Sequence, residues 1–142
     1  RAFSSEIHKR APHIKVIEQA CPNLVKLIEE DVPEAIIQNV VKGYVLELHN
    51  KTQNQKIDIC ILACTHYPLI EDLFRREFPA DTKILSQPDV TSTSLISYLQ
   101  KHPEFTESAS DSRIFITTGM PQQASRIASR FYGRVVDFKS AN

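Results

Sequence analysis

The run Ile57-Asp58-Ile59-Cys60-Ile61-Leu62-Ala63 narrows the possible folds more than any other part of this 142-residue chain. Seven mostly apolar residues read as a β-strand, and their near-continuous apolar character predicts a strand covered on both faces, as in a parallel sheet under helices. The strand runs straight into Cys64-Thr65-His66, and Pro68 then stands at an expected first helical position. In open α/β sheets, ligands bind just past the carboxyl ends of strands, which is where Cys64, Thr65 and His66 fall. A helix beginning near Pro68 would aim its N–H groups and positive dipole end at the same point, surroundings that favour a thiolate and an anionic ligand. Residue types alone leave a plainer reading open, because a cysteine after a strand is commonly a small buried hydrophobe and a nearby histidine a structural one.

The rest of the chain alternates helix and strand. Residues 2–11 read as helix, stopped by Pro12. Ile14, Val16 and Ile17 make residues 13–19 a short expected strand that delivers Cys21-Pro22, followed by a short helix over 23–30. Asp31, with Glu34 three places on and Pro33 between, has the form of a capping box. From there Ile36, Val40, Tyr44 and Leu48, beside Ile37, Val41 and Val45, form an apolar stripe at helical spacing up to Asn50. After the cysteine motif the pattern predicts a helix over 69–78 ended by Pro79, a strand over 83–86 and a helix over 89–101. A loop over 103–112, a strand over 113–118, a helix over 121–132 and a last strand over 134–138 complete the chain. Alternation of this kind means βαβ units, so the expected fold class is α/β, a parallel sheet flanked by helices.

Composition closes off several functions. Lys+Arg and Asp+Glu both number 17, so no bulk charge recruits nucleic acid or a membrane surface. No apolar run approaches the roughly 20 residues of a membrane span. Three cysteines, Cys21, Cys60 and Cys64, are an odd count that points to reduced thiols in a cytoplasm. They lack C-x-x-C spacing and no H-x₃-H pair accompanies them, so no metal site is expected. Thr117-Thr118-Gly119 lacks the glycine spacing and lysine of a phosphate loop and reads as a strand-to-helix turn.

Leu62-Ala63-Cys64-Thr65-His66-Tyr67-Pro68-Leu69 resembles the second cysteine motif of the glutamate racemases, within the aspartate/glutamate racemase family. Ala20-Cys21-Pro22-Asn23-Leu24-Val25-Lys26-Leu27-Ile28-Glu29 is similar to the segment that precedes it in that family, and Phe115-Ile116-Thr117-Thr118-Gly119-Met120-Pro121 to the family's closing strand and turn. Lys26, where the family often has proline, is a peripheral departure.

The resemblance implies a two-lobed fold, with residues 1–86 in the second lobe and residues 87–142 returning to complete the first. It also implies racemisation of glutamate, without a cofactor, by two opposed cysteine bases. Cys64 matches the second base, His66 its auxiliary acid/base or thiol-polarising partner, Thr65 a substrate-binding residue and Glu29 a carboxylate that orients the histidine. Cys60 lies about 13 Å from Cys64, at about 3.3 Å per residue along the strand, so the two cannot bracket one carbon. Cys21 is read as packing. The chain is thus expected to be the C-terminal portion of such an enzyme, holding one of its two bases and inactive alone. Further implications are D-glutamate supply for peptidoglycan, a cytoplasmic location, a homo-oligomer, a small-molecule partner (glutamate), and neither nucleic acid nor membrane. A portion of this kind should expose Val90, Leu95, Ile96, Ile114, Phe115 and Ile116.

Three other readings stay open. The first is a racemase of aspartate or another amino acid, the second a catalytically silent or interaction module. The third is a thiol hydrolase or transferase using Cys64 and His66.

Overall fold

A computed structural model describes residues 2–106 and 112–141 of the chain. The expected loop over 103–112 falls partly outside them. In order, the elements are helices α1 (Ala2–Arg10), α2 (Leu24–Glu29) and α3 (Glu34–Lys51), strand β1 (Ile59–Leu62), a 3₁₀ turn (Tyr67–Ile70), α4 (Glu71–Glu77) and β2 (Lys83–Ser86). Helix α5 (Gln87–Lys101), a second 3₁₀ turn (Pro103–Phe105), β3 (Phe115–Thr117), α6 (Pro121–Tyr132) and β4 (Phe138–Ser140) follow. Both strand pairs, β1 with β2 and β3 with β4, are parallel, and the class is α/β. The chain divides into two compact units, Arg1–Asp89 and Val90–Asn142.

In the first unit the core forms where the apolar stripe of α3 meets α2, α4 and one face of β1 and β2. Leu24, Ile28, Ile37, Val41, Val45, Leu62, Ile70, Leu73, Phe74, Phe78 and Ile84 are buried there. Ile36 falls off the stripe and is exposed. No side chain caps α3: Pro33 holds the N-cap position, and Asp31 adopts a left-handed φ of 52° instead of closing a capping box. Helix α4 ends at Glu77 because Phe78, ahead of Pro79, must be extended.

Three expectations for this unit are corrected. Residues 13–19 form no strand; their polar groups go to side chains, the Glu18 carbonyl accepting from Lys51 Nζ at 3.3 Å and Lys15 Nζ reaching Gln55 Oε1 at 2.9 Å. β1 is covered on one face only, with Ile59 and Ile61 52% and 40% exposed on the other. No α-helix starts at Pro68: Leu69 N–H bonds the His66 carbonyl at 3.1 Å in a 3₁₀ turn, Ile70 departs from helical backbone, and α4 begins only at Glu71.

In the second unit α6 starts at Pro121 and stops at Gly133, whose φ of 70° is the left-handed conformation glycine adopts cheaply. The last strand is shorter and later than 134–138. Ser129 Oγ accepts the Val136 N–H at 2.9 Å and Ser125 Oγ the Phe138 N–H at 2.8 Å, so helix hydroxyls take the amides a ladder would have used. Val90, Leu95, Ile96, Ile114 and Ile116 are exposed; Phe115 is instead half-buried between Tyr132 and Phe138. Among the described residues no helix is long and apolar enough to cross a membrane, and no cluster of three His, Cys, Asp or Glu side chains could hold a metal ion.

Candidate active site

Past β1 the backbone tightens through i→i+3 bonds into the 3₁₀ turn that holds Pro68 in its first positions. Tyr67 N–H donates to the Cys64 carbonyl at 3.3 Å, and this bond fixes the turn that carries the Cys-Thr-His triplet. The N-terminus of α4 lies seven residues past Cys64 in sequence, so the expected helix dipole starts at Glu71 and not at the motif.

The fold links three of the four expected residues, Thr65, His66 and Glu29. His66 Nε2 lies 2.9 Å from Glu29 Oε1, at the end of α2. These side chains are 23% and 32% exposed, sheltered yet within reach of solvent. Since a carboxylate only accepts, the neutral ring would hold its proton on Nε2 and leave Nδ1 as the acceptor. Thr65 Oγ1 stands 3.4 Å from that Nδ1.

Cys64 shares the turn, half-buried, but its surroundings differ. It lines a groove with Cys21, Cys60, Tyr44 and Tyr67, and Thr65, His66 and Glu29 are not part of that lining. Tyr67 was missed as a member of this neighbourhood, while Cys21, read as packing, packs against the core and also lines the groove. Tyr67 bonds the Cys21 thiol through its hydroxyl, meets the Phe74 ring at a tilt with centroids 5.6 Å apart, and has a pKa raised first by burial and then by the nearby thiols. Tyr44 donates its hydroxyl to the Pro22 carbonyl, tying the segment before α2 to α3. The signal for Tyr67 was its place inside the motif.

Burial separates the thiols chemically. It pushes Cys60 up to about 11, with the neighbouring Cys21 adding to the effect, and raises Cys21 as well. A group with a pKa of about 11 is thiolate in only roughly one molecule in a thousand at pH 8, and the thiolate is the nucleophile. Cys60 should therefore be the last cysteine alkylated by iodoacetamide at pH 8, catching up only as the pH passes about 11. Peptide mapping of the labelled protein checks this, and early labelling of Cys60 would contradict the burial described here.

No family model matches the chain. A glutamate racemase of Phenylobacterium zucineum is 36% identical over 141 residues, 99% of this chain and 50% of that protein. Among solved structures, a glutamate racemase isoform from Bacillus anthracis matches with a TM-score of 0.79 at 29% identity, over 99% of this chain and 52% of that one. The glutamate racemase of Francisella tularensis, solved in complex with D-glutamate, matches with a TM-score of 0.81 at 27% identity, over the same shares. Sequence and fold agree, and the chain is a relative of the glutamate racemases, spanning about half of their length.

Proposed function

We propose that this chain is part of a cofactor-independent glutamate racemase, in which Cys64 is one of two opposed acid/base thiols. The observation that carries the reading is the Cys64-Thr65-His66 turn at the end of a parallel strand, with His66 held by Glu29, in a chain 36% identical to a glutamate racemase. Inversion needs the α-proton removed from one face and a proton delivered to the other. Cys64, as thiolate, takes the proton and becomes a thiol; an opposed thiol, outside these residues, gives its proton to the carbanionic carbon and becomes thiolate. Thr65 is assigned to holding substrate. His66, kept in one orientation by Glu29, is assigned to polarising the thiol or the substrate carboxylate. D-Glutamate bound to the Francisella relative supports glutamate over aspartate as substrate.

On this reading residues 1–86 belong to one lobe and 87–142 complete the other, in a cytoplasmic homo-oligomer that supplies D-glutamate for peptidoglycan. The 142 residues alone should not invert glutamate. The complete polypeptide, incubated with L-glutamate and no added cofactor, should give a solution that loses its optical rotation. Absence of inversion, or inversion of aspartate only, would overturn the assignment.

Glu29→Gln tests the positioning role. The amide can still meet the imidazole but no longer carries the charge that fixes the proton on Nε2. Turnover should fall by up to about 100-fold, as expected when a reacting group is mis-oriented, with a changed pH profile of kcat. An unchanged profile would remove Glu29 from the mechanism.

A further inference from the structure

The last part of the chain is basic: from residue 113 onward, Arg113, Arg126, Arg130, Arg134 and Lys139 stand against a single acid, Asp137. Two of these cations converge on one phenol. Gly133, at φ 70°, turns the chain just after α6, and Arg134 folds back over Tyr132. Its guanidinium carbon lies 4.8 Å from the ring centroid, and its Nη2 donates to the Tyr132 hydroxyl at 3.2 Å. Arg113, two residues before Phe115, donates to the same hydroxyl. Phe115 of β3 meets the Tyr132 ring at 77° with centroids 5.9 Å apart, so the phenol is braced from the sheet.

No acid offsets the charge of this group. Arg75 and Arg76 each meet a glutamate, at 2.6 and 2.8 Å. Among the described residues, Arg113 and Arg134 meet no carboxylate. The carboxyl end of α6 supplies roughly half a negative charge, which suits one guanidinium and leaves the other uncompensated. The surplus shows in Tyr132, whose pKa is lowered, first by Arg134. Because both guanidiniums donate to the phenol oxygen, the phenol proton is left to be donated outward. Three donor groups with a surplus of positive charge thus share one exposed spot, Tyr132 itself being 42% exposed. A carboxylate, flat and singly charged, is satisfied by one guanidinium fork. A phosphate, tetrahedral and carrying up to two charges, has an oxygen for each of the three donors.

We propose that Arg113, Tyr132 and Arg134 form a binding site for a phosphate group, built wholly from the second unit. The proposal does not depend on the reaction assigned to Cys64.

Titration of the complete polypeptide with inorganic phosphate at low ionic strength, followed by the side-chain Nε–H NMR signals of its arginines, tests the site. The Arg113 and Arg134 signals should shift and saturate. Arg113→Gln and Arg134→Gln should each weaken binding at least about tenfold, the loss expected for one charge-assisted donor group. Tyr132→Phe should weaken it by a smaller factor, about three. Arg75→Gln, which breaks an ion pair elsewhere, should leave binding unchanged. Shifts that never saturate, an equal response to acetate, or unchanged affinity in either arginine variant would overturn the proposal. Vesicles of phosphatidic acid carry the same group and read its source. Capture of the parent but not of the arginine variants would assign the phosphate to a lipid headgroup, and no capture would assign it to a soluble molecule. Capture unaltered by both substitutions would count against the site.

Discussion

Cys64→Ala in the complete enzyme is expected to remove racemisation in both directions, with kcat falling by at least about 10²–10⁴-fold, the range carried by one positioned acid/base group. Each direction needs one thiolate to take a proton and one opposed thiol to give one, so loss of either sulfur stops inversion from L and from D alike. The opposed thiol can still take the α-proton from its own face and return it there. Substrate of one configuration should then exchange its α-hydrogen for solvent deuterium without inversion. Cys64→Ser should retain a trace of activity at best, because a serine hydroxyl is a far weaker base than a thiol at neutral pH. Polarimetry of both directions, with proton NMR of the α-position in D₂O, reads these outcomes separately. Full activity of either variant would exclude the two-thiol mechanism.

What could be read from the sequence follows from where the controlling interactions lie. The α3 stripe was legible because Ile37, Val41 and Val45 recur at helical spacing and are buried against α2 and α4. β1 and the residues after it were legible because strand-length apolar character ends abruptly in a polar triplet, and the turn after it is fixed by bonds within a few residues. Errors arose where a distant group decides. Residues 13–19 have strand composition, but a strand needs an edge to pair with, and their polar groups go to Lys51 and Gln55 instead. The last strand was placed four residues early because the hydroxyls of Ser125 and Ser129, on a helix, hold Val136 and Phe138. Pro68 was read as a helix start, whereas the i→i+3 bonds around it make a 3₁₀ turn and displace α4 to Glu71. The contact of Glu29 with His66 spans 37 positions and came from the family resemblance, not from any local pattern.

Phe74→Ala should be the most destabilising of the simple truncations near the site, costing about 3–5 kcal/mol, the usual cost for a buried phenylalanine. The side chain is 5% exposed, packs in the core formed by α2, α3 and α4, and carries the Tyr67 ring at 5.6 Å. Removing it leaves a cavity that neighbours fill only in part, and a loss of this size is a large share of the roughly 5–15 kcal/mol that keeps a domain folded. Leu46→Ala is the control: on the outer face of α3 and 60% exposed, it should shift stability by no more than about 0.5 kcal/mol. Urea titrations of the two variants against the parent separate these effects. A structural link to the site gives a second readout. Phe74 and Cys60 line the same groove, and burial is the main reason the Cys60 pKa stands at about 11. Opening the core beside Cys60 lets water reach the thiol, lowers its pKa toward the ordinary value and raises its thiolate fraction at pH 8. Alkylation of Cys60 at that pH should therefore speed up in Phe74→Ala, under conditions where the variant is still folded, and stay slow in Leu46→Ala. Equal Cys60 labelling in the two variants would mean that Phe74 does not keep water from that thiol.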